Sequence, residues 1–522
     1  MARARAVVDG WCGDTLSVVV WIGGLVCWDF RVPEIDVLSR GELIVLVGRL
    51  FGEVQDLTRV NAELLAANAA LTDRVARLER IVSRNSRNSG TPPSKDDDLG
   101  RTPPADVTGA VSGDLPRRRG KRKGAPGAHL AWSQDPNETL DHFPQGVCGC
   151  GSDLAGATDL GVYAAHQQVE VPLMTATVTQ HDRHAVRCRC GTMHVAARPE
   201  GVADTSVSFG PNLVSWCVYL MVAHAIPVAR CADLVAALTG TRPSDGFVHS
   251  LLGRAATTVA ETNRMIRTLI TAAHVVSCDE TPIRVGARKV KKHLLVACTR
   301  LYTWYLLGDR SLDTFERFVL PDLTGVIVHD RYQNYDAKIF GHLVHQLCVQ
   351  HLIRDCQDAA ETYPEAHWPI QIREALQGLV HAANLARRRN LPAIPAHIAD
   401  PLISAYRHGV RIGLKEVVRV PGRKQPKHRA LLEDLRDREA DILRFTTDLR
   451  IPPTSNQAER DLRPAKTQQK ISGRLTSEKV TEHRYAIRGY ISTVTKHGAD
   501  VMTAIRDAIL GRPWTPPAWT HG

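Results

Sequence analysis

The chain has 522 residues, of which 43% are hydrophobic and 23% are charged, enough for about three to four domains with buried cores. This composition excludes global disorder, collagen-like repeats and small disulfide-rich secreted scaffolds. Its 66 Lys and Arg against 55 Asp and Glu give a net charge of +11, which favours polyanionic partners such as nucleic acid or anionic lipid, although ordinary basic soluble proteins share such an excess.

Residues 1–38 fit no domain type and are left unassigned. Their most apolar run, residues 16–28, is too short to span a bilayer and contains two glycines. It has the outline of a secretory signal but lacks the small-residue cleavage motif. The 12 cysteines of so large a chain suit a reducing compartment better than a disulfide scaffold. We therefore expect a cytoplasmic protein without a membrane segment.

A heptad repeat runs through residues 39–82. Leucine occupies the d positions and valine or asparagine the a positions: Leu43, Leu50, Leu57, Leu64, Leu71 and Leu78, with Val47, Val54, Asn61, Asn68, Val75 and Val82. Valine at a with leucine at d favours two parallel strands, and buried asparagine fixes their register. The repeat predicts a coiled coil that joins two copies of the chain or more. One long helix packed on its own chain is the alternative.

Residues 83–128 are predicted to be a flexible linker. They are rich in serine, asparagine, glycine, proline and charge, and they cannot bury apolar surface. The linker contains six closely spaced cations: Arg117, Arg118, Arg119, Lys121, Arg122 and Lys123. Like charges in such a run repel unless an anion lies between them, so DNA phosphates are one interpretation and a solvated tail is the other.

Two Cys-x-Cys-Gly strings indicate a small zinc-binding module over residues 129–205. The four cysteines are Cys148, Cys150, Cys188 and Cys190. Four thiolates can form a closed tetrahedral zinc site, although Cys-x-x-Cys is the usual spacing. His184 or His194 could replace one ligand, and free thiols are the alternative. Alternating β-branched residues predict strands over residues 162–179, between the two pairs.

Residues 206–270 carry helical periodicity. Helices are predicted over residues 227–238 and 247–260, with a turn at 239–246 that contains glycine and proline. A DNA-binding helix-turn-helix is one interpretation, and a simple helical hairpin is the other.

A catalytic core is predicted from residues 271–355 and 446–475. Three strands, a short helix and a fourth strand are expected at 275–285, 294–299, 302–307, 314–319 and 325–330. This is the opening order of the RNase H fold. In that fold the first and fourth strands are neighbours, which would bring Asp279 and Asp330 together.

A further helix is predicted to begin after Ser455, a suitable N-cap residue. Asn456, Glu459, Arg460 and Arg463 then fall on one helix face, which could present a carboxylate to a metal and guanidinium groups to phosphates. Phosphodiester displacement needs such groups, because two Mg²⁺ ions about 4 Å apart stabilise the attacking and leaving oxygens. An isolated Asp or Glu is more often an ordinary surface residue, so the prediction depends on the ordered set.

Taken together, these strings resemble the IS66 family of DDE transposases over about residues 40–512. The matching strings are residues 84–89 and 92–94, Asp279-Glu280-Thr281, His329-Asp330 with Tyr332 and Tyr335, Cys348 to Arg354, and Asn456-Gln457-Ala458-Glu459-Arg460 with Leu462-Arg463-Pro464. The resemblance implies a metal-binding triad of Asp279, Asp330 and Glu459. It also implies an RNase H-like core, a zinc module and a leading coiled coil.

The chain departs from the family pattern at three places. Arg331 stands where glycine is usual, Asp355 stands where a second arginine is usual, and the first cysteine pair is one residue closer than usual.

We therefore expect an α/β protein whose RNase H-like core carries a large helical insertion over residues 356–445, with C-terminal helices over 476–522. Within the insertion, residues 387–389 and 423–429 are basic and could hold DNA backbone or form a solvated face. Residues 484–510 are predicted to form two helices joined near 497–498. Cys348 and His351 share a helix face, where ordinary packing is favoured over a metal pair or a thiol nucleophile.

The predicted function is that of an insertion-sequence transposase, which binds the element's ends and uses two Mg²⁺ ions to hydrolyse them and join the 3′ ends to target DNA. Arg460, Arg463 and Lys466 would orient phosphates. Expected partners are DNA, a second copy of the chain and accessory proteins of the element, in a nucleoid-associated cytoplasmic setting. Two alternatives are a non-catalytic regulator built from zipper, zinc and helix-turn-helix parts, and a plain nuclease of the same fold.

Overall fold

The computed structural model describes residues 5–8, 18–21, 39–82, 131–171, 173–286, 290–422, 425–473 and 475–517. The chain divides into two compact units, of which the first holds Met1–Ser86 and Thr91–Asp106 and the second holds the remainder, Arg87–Gly90 and Val107–Gly522. The basic run of the linker, residues 117–123, lies outside the described residues. None of the helices that are described is both long and apolar enough to cross a membrane.

The first unit contains a short hairpin and one long helix. Strands β1 (Arg5–Val8) and β2 (Val18–Trp21) pair antiparallel, and α1 spans Arg40–Val82. The helix begins where it does because of a capping box: Ser39 N–H donates to Glu42 Oε2 at 2.8 Å, and Glu42 N–H donates to Ser39 Oγ at 3.4 Å.

The heptad seam of α1 is exposed in the single chain. Each described d-position leucine is more than half exposed: Leu50, Leu57, Leu64 and Leu71. The a-position residues Val54 and Val75 are 44% and 51% exposed. Exposed apolar side chains along one face are what a coiled-coil seam presents before it pairs, so the coiled coil stays a prediction.

The cysteine region holds one short hairpin, β3 (Ala185–Arg187) with β4 (Met193–Val195). The expectation of strands over residues 162–179 was wrong, because the described residues there form no strand. Val162, Val169 and Val178 are each at least 75% exposed. Alternating β-branched residues favour a strand only where a neighbouring strand and a buried face exist, and this segment has neither.

Four helices precede the sheet: α2 (Pro211–Ala223), α3 (Val228–Thr239), α4 (Asp245–Thr258) and α5 (Ala260–Thr271). The predicted helix, turn and helix correspond to α3 and α4, and Ser244 caps α4 by accepting from Phe247 N–H at 3.2 Å. Residues of α2, α3 and α4 share one hydrophobic core with Ile487, Ile491 and Ile505 near the C-terminus. Because α4 buries Val248 and Leu251 there, its apolar face serves the fold.

A five-stranded mixed sheet forms the centre of the second unit, which confirms the α/β class. Its strands are β5 (Val275–Val285), β6 (Val290–Cys298), β7 (Thr303–Gly308), β8 (Val326–His329) and β9 (Val344–Leu347), with α6 (Leu312–Glu316) between β7 and β8. The spatial order is β7-β6-β5-β8-β9. The first three strands are antiparallel neighbours, and β8 and β9 run parallel to β5.

Helices cover both faces of the sheet. The segment between β9 and residue 456 contains α7 (Val349–Thr362), α8 (Trp368–Arg388), α9 (Ala396–Glu416), α10 (Lys427–Asp437) and α11 (Glu439–Leu443). These helices form a core with Val328 and Leu347 of the sheet. The other face packs on α5 and α6 through Ile266, Ile327 and Phe315.

Three helices complete the fold: α12 (Asn456–Ile471), α13 (Glu478–Lys496) and α14 (Val501–Ile509). Helix α12 lies on the sheet through Ala458 and Leu462, which pack with Ile283 and Val296. The predicted pair of C-terminal helices is confirmed, and Gly498, with φ of 70°, makes the turn between them.

Candidate active site

The sheet leaves an open edge beside Asp279. Strand β5 pairs with β6 from Ser277 to Val285, but it pairs with β8 only from Val275 to Ser277. Asp330 is the first residue after β8, and continuing the Ser277–Val328 register by two residues brings it level with Asp279. The end of β8 therefore places two carboxylates next to each other where no further strand covers β5.

Electrostatics confirm that acids are crowded at this edge. Burial first, and then the charges of Glu280 and Asp330, raise the pKa of Asp279 to about 8, although Glu280 N–H donates to Asp279 Oδ1 at 2.8 Å, which opposes the shift. Burial and Asp330 also raise the pKa of Glu280 to about 7. Such shifts mark more negative charge than the surrounding protein neutralises.

Glu459 lies in the first turn of α12, next to the buried Ala458 that seats the helix on the sheet. Its carboxylate accepts from Arg354 Nη2 of α7 at 3.5 Å. Two contacts hold the starts of these helices together: Ser455 N–H donates to Cys348 Sγ at 3.3 Å, and Val349 N–H donates to Pro453 O at 2.9 Å. Cys348 is thus a buried structural contact at the start of α7.

Helix α7 connects Glu459 to the two aspartates. Burial lowers the pKa of His351, but the side chain of Cys348 and the charge of Asp330 raise it by more, to about 9. The charge of His351 in turn lowers the pKa of Asp279. Helix α7 therefore carries one basic side chain, His351, that interacts electrostatically with Asp330 and another, Arg354, that contacts Glu459.

The three predicted acids lie in one region but do not form a closed cluster. Among the described residues, one set of three His, Cys, Asp or Glu side chains has ligand atoms all within 4.8 Å of one another, and it is a different set. Two ions about 4 Å apart do not require every ligand to meet at one point. The oxygen donors and the unneutralised charge fit a hard divalent cation such as Mg²⁺.

The other set comprises His329, Asp336 and His345. His329 Nε2 and His345 Nδ1 are 2.9 Å apart, which is a hydrogen-bond distance. Asp336 Oδ1 lies 3.7 Å from His345 Nδ1, and its other oxygen accepts from Arg438 Nη1 at 2.7 Å. These side chains therefore already satisfy one another as a hydrogen-bonded chain.

On the opposite face of β5, the Glu280 carboxylate accepts hydrogen bonds from two side chains that the sequence did not indicate as its partners. Its carboxylate accepts from Arg310 Nη2 at 2.8 Å and from the Tyr335 hydroxyl at 3.2 Å. The Arg310 guanidinium lies 4.5 Å from the ring centre of Tyr332, whose N–H donates to Asp330 Oδ1 at 2.8 Å. This network ties the acid beside Asp279 to the turn after Asp330.

The three predicted phosphate-binding cations of α12 are exposed: Arg460, Arg463 and Lys466. Arg460 donates to Gln457 at 2.6 Å. Glu459, Arg463 and Lys466 follow one helical stripe. By contrast, Arg387 donates to the carbonyls of Leu449 and Ile451 at 2.7 Å.

Arg429 is another basic residue of the insertion with a structural role. It donates to the carbonyls of Leu414 and Val417 at 2.7 and 2.9 Å. Arg387 and Arg429 thus hold the insertion together, and their guanidinium groups are committed to the fold.

The two cysteine strings form matching turns. Gly151 N–H donates to Cys148 O at 2.8 Å, and Gly191 N–H donates to Cys188 O at 2.9 Å. Both glycines have φ near 90°, at 89° and 87°, which favours glycine. Hydrogen bonds from Ser152 and Thr192 lower the pKa values of Cys150 and Cys190 to about 7.

Lowered thiol pKa values favour the thiolate form that binds zinc. However, no three of the four sulfur atoms in this described segment lie within 4.8 Å of one another. His184 and His194 are exposed and belong to no such group either. The zinc site therefore stays a prediction.

Comparison with known proteins assigns this architecture. The sequence model described as "Transposase IS66 family" matches residues 206–483, more than half of the chain. The match begins before α2 and ends within α13, so it covers the whole sheet, Asp279, Asp330 and Glu459. A search of curated proteins returns no match.

Proposed function

Because the chain belongs to the IS66 family of transposases, we propose that it is the DNA transposase of an insertion sequence, which hydrolyses the element's ends at their 3′ strands and joins them to target DNA. Family membership supports a nucleic-acid-processing enzyme. The observation that carries the finer proposal is that the register of β5 and β8 brings Asp330 level with Asp279 at the open edge of β5. There burial first, and then the charges of Glu280 and Asp330, raise the pKa of Asp279 to about 8.

Asp279, Asp330 and Glu459 would hold two Mg²⁺ ions, which when bound stabilise the charge on the attacking and leaving oxygens. Asp279 and Asp330 would share one ion, and Glu459 would complete the site of the second. Arg354 would keep the Glu459 carboxylate turned toward α7 until the ions bind, since it donates from 3.5 Å. The strand order β7-β6-β5-β8-β9 supports an RNase H-like core, which the order of elements in the sequence predicts.

DNA would lie along α12. Arg460, Arg463 and Lys466 are exposed cations on the helix that carries Glu459, and contacts to phosphates would fix the position of the scissile bond relative to the acids. The linker cations Arg117, Arg118, Arg119, Lys121, Arg122 and Lys123 would add affinity that does not depend on DNA sequence.

Two further parts of the proposal concern assembly. The exposed leucine seam of α1 would pair with a second copy of the chain, because joining two DNA ends needs at least two active sites. Cys148, Cys150, Cys188 and Cys190 would bind a structural Zn²⁺, which elemental analysis of the purified protein can measure. We place the protein in the cytoplasm, associated with the nucleoid, and accessory proteins of the element are candidate further partners.

A regulator that binds DNA without cutting it remains the alternative from another class, since it would use the coiled coil, the cysteine turns, and α3 with α4. The crowded acids argue against it. A regulator has no use for a site that costs stability through repelling carboxylates. A plain nuclease would share the acids but would release cut DNA without joining it.

The test incubates the full chain with Mg²⁺, a labelled duplex that carries the terminal repeats flanking the gene, and a supercoiled target plasmid. We expect labelled DNA to become joined to the plasmid. Asp279→Asn, Asp330→Asn and Glu459→Gln should each abolish joining. Asp313→Asn is the matched control, because Asp313 is an exposed acid whose carboxylate pairs with Arg317, four residues later, at 3.3 Å.

Each outcome separates the candidates. Cutting without joining would favour the nuclease, and binding without cutting would favour the regulator. Joining that persists in Asp279→Asn would refute the catalytic assignment.

A further inference from the structure

Asp330 has no strand partner of its own, and its two chain neighbours are both anchored to other elements. On one side, Arg331 has a guanidinium that is one-quarter exposed, at 24%, and that reaches two carboxylates on different helices. Nη2 donates to Asp355 of α7, and Nη1 donates to Asp434 of α10 at 2.7 Å. Both terminal nitrogens of Arg331 are therefore used within the protein, which leaves this arginine poorly suited to hold a DNA phosphate.

On the other side, His329 is fully buried and begins a chain of polar contacts. His329 lies 2.9 Å from His345, which lies 3.7 Å from Asp336. Asp336 accepts from Arg438 at 2.7 Å. Arg438 is the N-cap residue of α11, so this chain also ends at the junction of α10 and α11.

The segment that receives both chains is itself firmly seated on the sheet. Gln346 of β9 donates to Ile442 O at 3.0 Å and accepts from Phe445 N–H at 2.9 Å. Leu435, Ile442 and Phe445 are buried in the same core as Val328 of β8. Residues 434–445 thus form a rigid support, and both neighbours of Asp330 are fastened to it.

We propose that Arg331 is a positioning residue for the divalent-cation site, which holds the Asp330 carboxylate in place by fastening the end of β8 to Asp355 and Asp434. The inference rests on the proposed function, because it takes Asp330 to be a cation ligand. It gives the helical insertion a role: the insertion acts on the reaction through the placement of Asp330, although its residues do not touch the reacting atoms. Asp330 lies just beyond the last paired residue of β8, so the sheet does not hold its backbone in place. A metal-binding carboxylate at such a position needs support from other elements.

The test measures cation binding directly, with Mn²⁺ as the probe and the electron paramagnetic resonance signal of free Mn²⁺ as the readout. The full chain is first treated with a chelator, and the relevant site is defined as the binding that Asp330→Asn removes. We expect Arg331→Ala to weaken Mn²⁺ binding at that site by about tenfold, the low end of the range for residues that support metal ligands. Arg331→Lys should lie between, because an ammonium group cannot hold both carboxylates in a fixed fork.

Arg407→Ala is the matched control. Arg407 of α9 donates to Glu439 of α11 through Nε and Nη2, at 2.9 and 2.6 Å, so its loss removes a comparable ion pair of the insertion that does not reach Asp330. We expect Mn²⁺ affinity within twofold of the wild-type value in this variant. If Arg331→Ala fails to fold, Asp434→Asn removes one of the two anchors and should weaken binding in the same direction.

Two results would overturn the inference. One is unchanged Mn²⁺ affinity in Arg331→Ala and Asp434→Asn, which would leave Arg331 as a stabilising contact only. The other is an equal loss of affinity in Arg407→Ala, which would reflect general destabilisation. A wild-type protein whose Mn²⁺ binding requires Asp330 and is weakened in Arg331→Ala, but which joins no DNA, would refute the transposase proposal while the inference stands.

Discussion

Two acids of the second unit, Asp279 and Asp358, are both largely withdrawn from solvent, yet their surroundings have opposite effects on their charge. Asp279 faces the acids Glu280 and Asp330, and its pKa is raised to about 8. Burial also disfavours the charge of Asp358, but His428 and Lys427 each reach its Oδ2 at 2.9 Å, and its pKa falls to about 2.

The opposite pKa shifts distinguish two kinds of buried acid. Asp358 stabilises the fold through its ion pairs, whereas Asp279 has no such partner among the described residues and is suited to bind a cation. The Asp358 carboxylate joins α7 to α10, and its charge is balanced by the protein itself. The charge at Asp279 is left unbalanced at the open edge of β5, so it costs stability in the absence of a cation. Strained or unbalanced groups persist where function requires them.

The largest change in stability should come from removing Asp358, the acid whose charge the protein balances. Asp358→Ala leaves Lys427 and His428 without their shared partner in a site that is 14% exposed at the aspartate. We expect the free energy of unfolding to fall by about 2–3 kcal/mol, somewhat less than for a fully buried pair. Denaturant unfolding checks this, with Asp437→Ala as the control, because Asp437 is an exposed acid paired with its neighbour Arg436.

Asp279→Asn should change stability in the opposite direction. At pH 7 the unfolded chain ionises Asp279 freely, whereas the folded protein opposes its ionisation, and an amide has no such penalty. We therefore expect the chelator-treated variant to be more stable by about 1–2 kcal/mol. Added Mg²⁺ should stabilise the wild-type protein and not the variant. A melting temperature of Asp279→Asn below that of the wild-type protein would contradict the contrast between the two acids.

Measured without divalent cations, the free energy of unfolding should first rise and then fall as the pH increases. Between pH 2 and about 4, the unfolded chain binds the proton of Asp358 more readily than the folded protein does, so stability should rise with pH. Between pH 4 and about 8, folded Asp279 retains a proton that the unfolded chain releases, so stability should fall. Asp358→Asn should reduce the slope of the first limb, to which Asp309 also contributes. Asp279→Asn should reduce the slope of the second limb, to which Glu280 also contributes.

The sequence revealed the elements of this region better than the contacts between them. The alternation of β5, the polar string after β8 and the start of α12 were all sufficient to place Asp279, Asp330 and Glu459 on the right elements. The same local patterns could not show that Arg354 would lie beside Glu459, 105 residues away, or that Glu280 would meet Arg310. Such partners depend on how distant helices pack, which no short string records.

Two departures from the family pattern also show that local sequence does not reveal which distant residues a side chain contacts. Arg331 and Asp355 each look like an isolated replacement in the sequence, yet the structure pairs them with each other. Conversely, the basic strings of the insertion suited either DNA contacts or a solvated face, but Arg387 and Arg429 are bound to backbone carbonyls. Whether a charge is free for a ligand is decided by its neighbours in space.

The smallest expected effect concerns basic side chains, which can likewise be either paired within the protein or free to bind DNA. Arg463 and Lys466 are exposed on α12, and the structure pairs neither with an acid in the part of the chain that it describes. We expect Arg463→Ala with Lys466→Ala to lower the slope of log affinity against log salt for DNA by about 2, because each phosphate contact contributes about 0.9. Arg436→Ala is the control, since Asp437 already neutralises that arginine, and an equal change in its slope would show that exposure rather than position along α12 governs DNA binding.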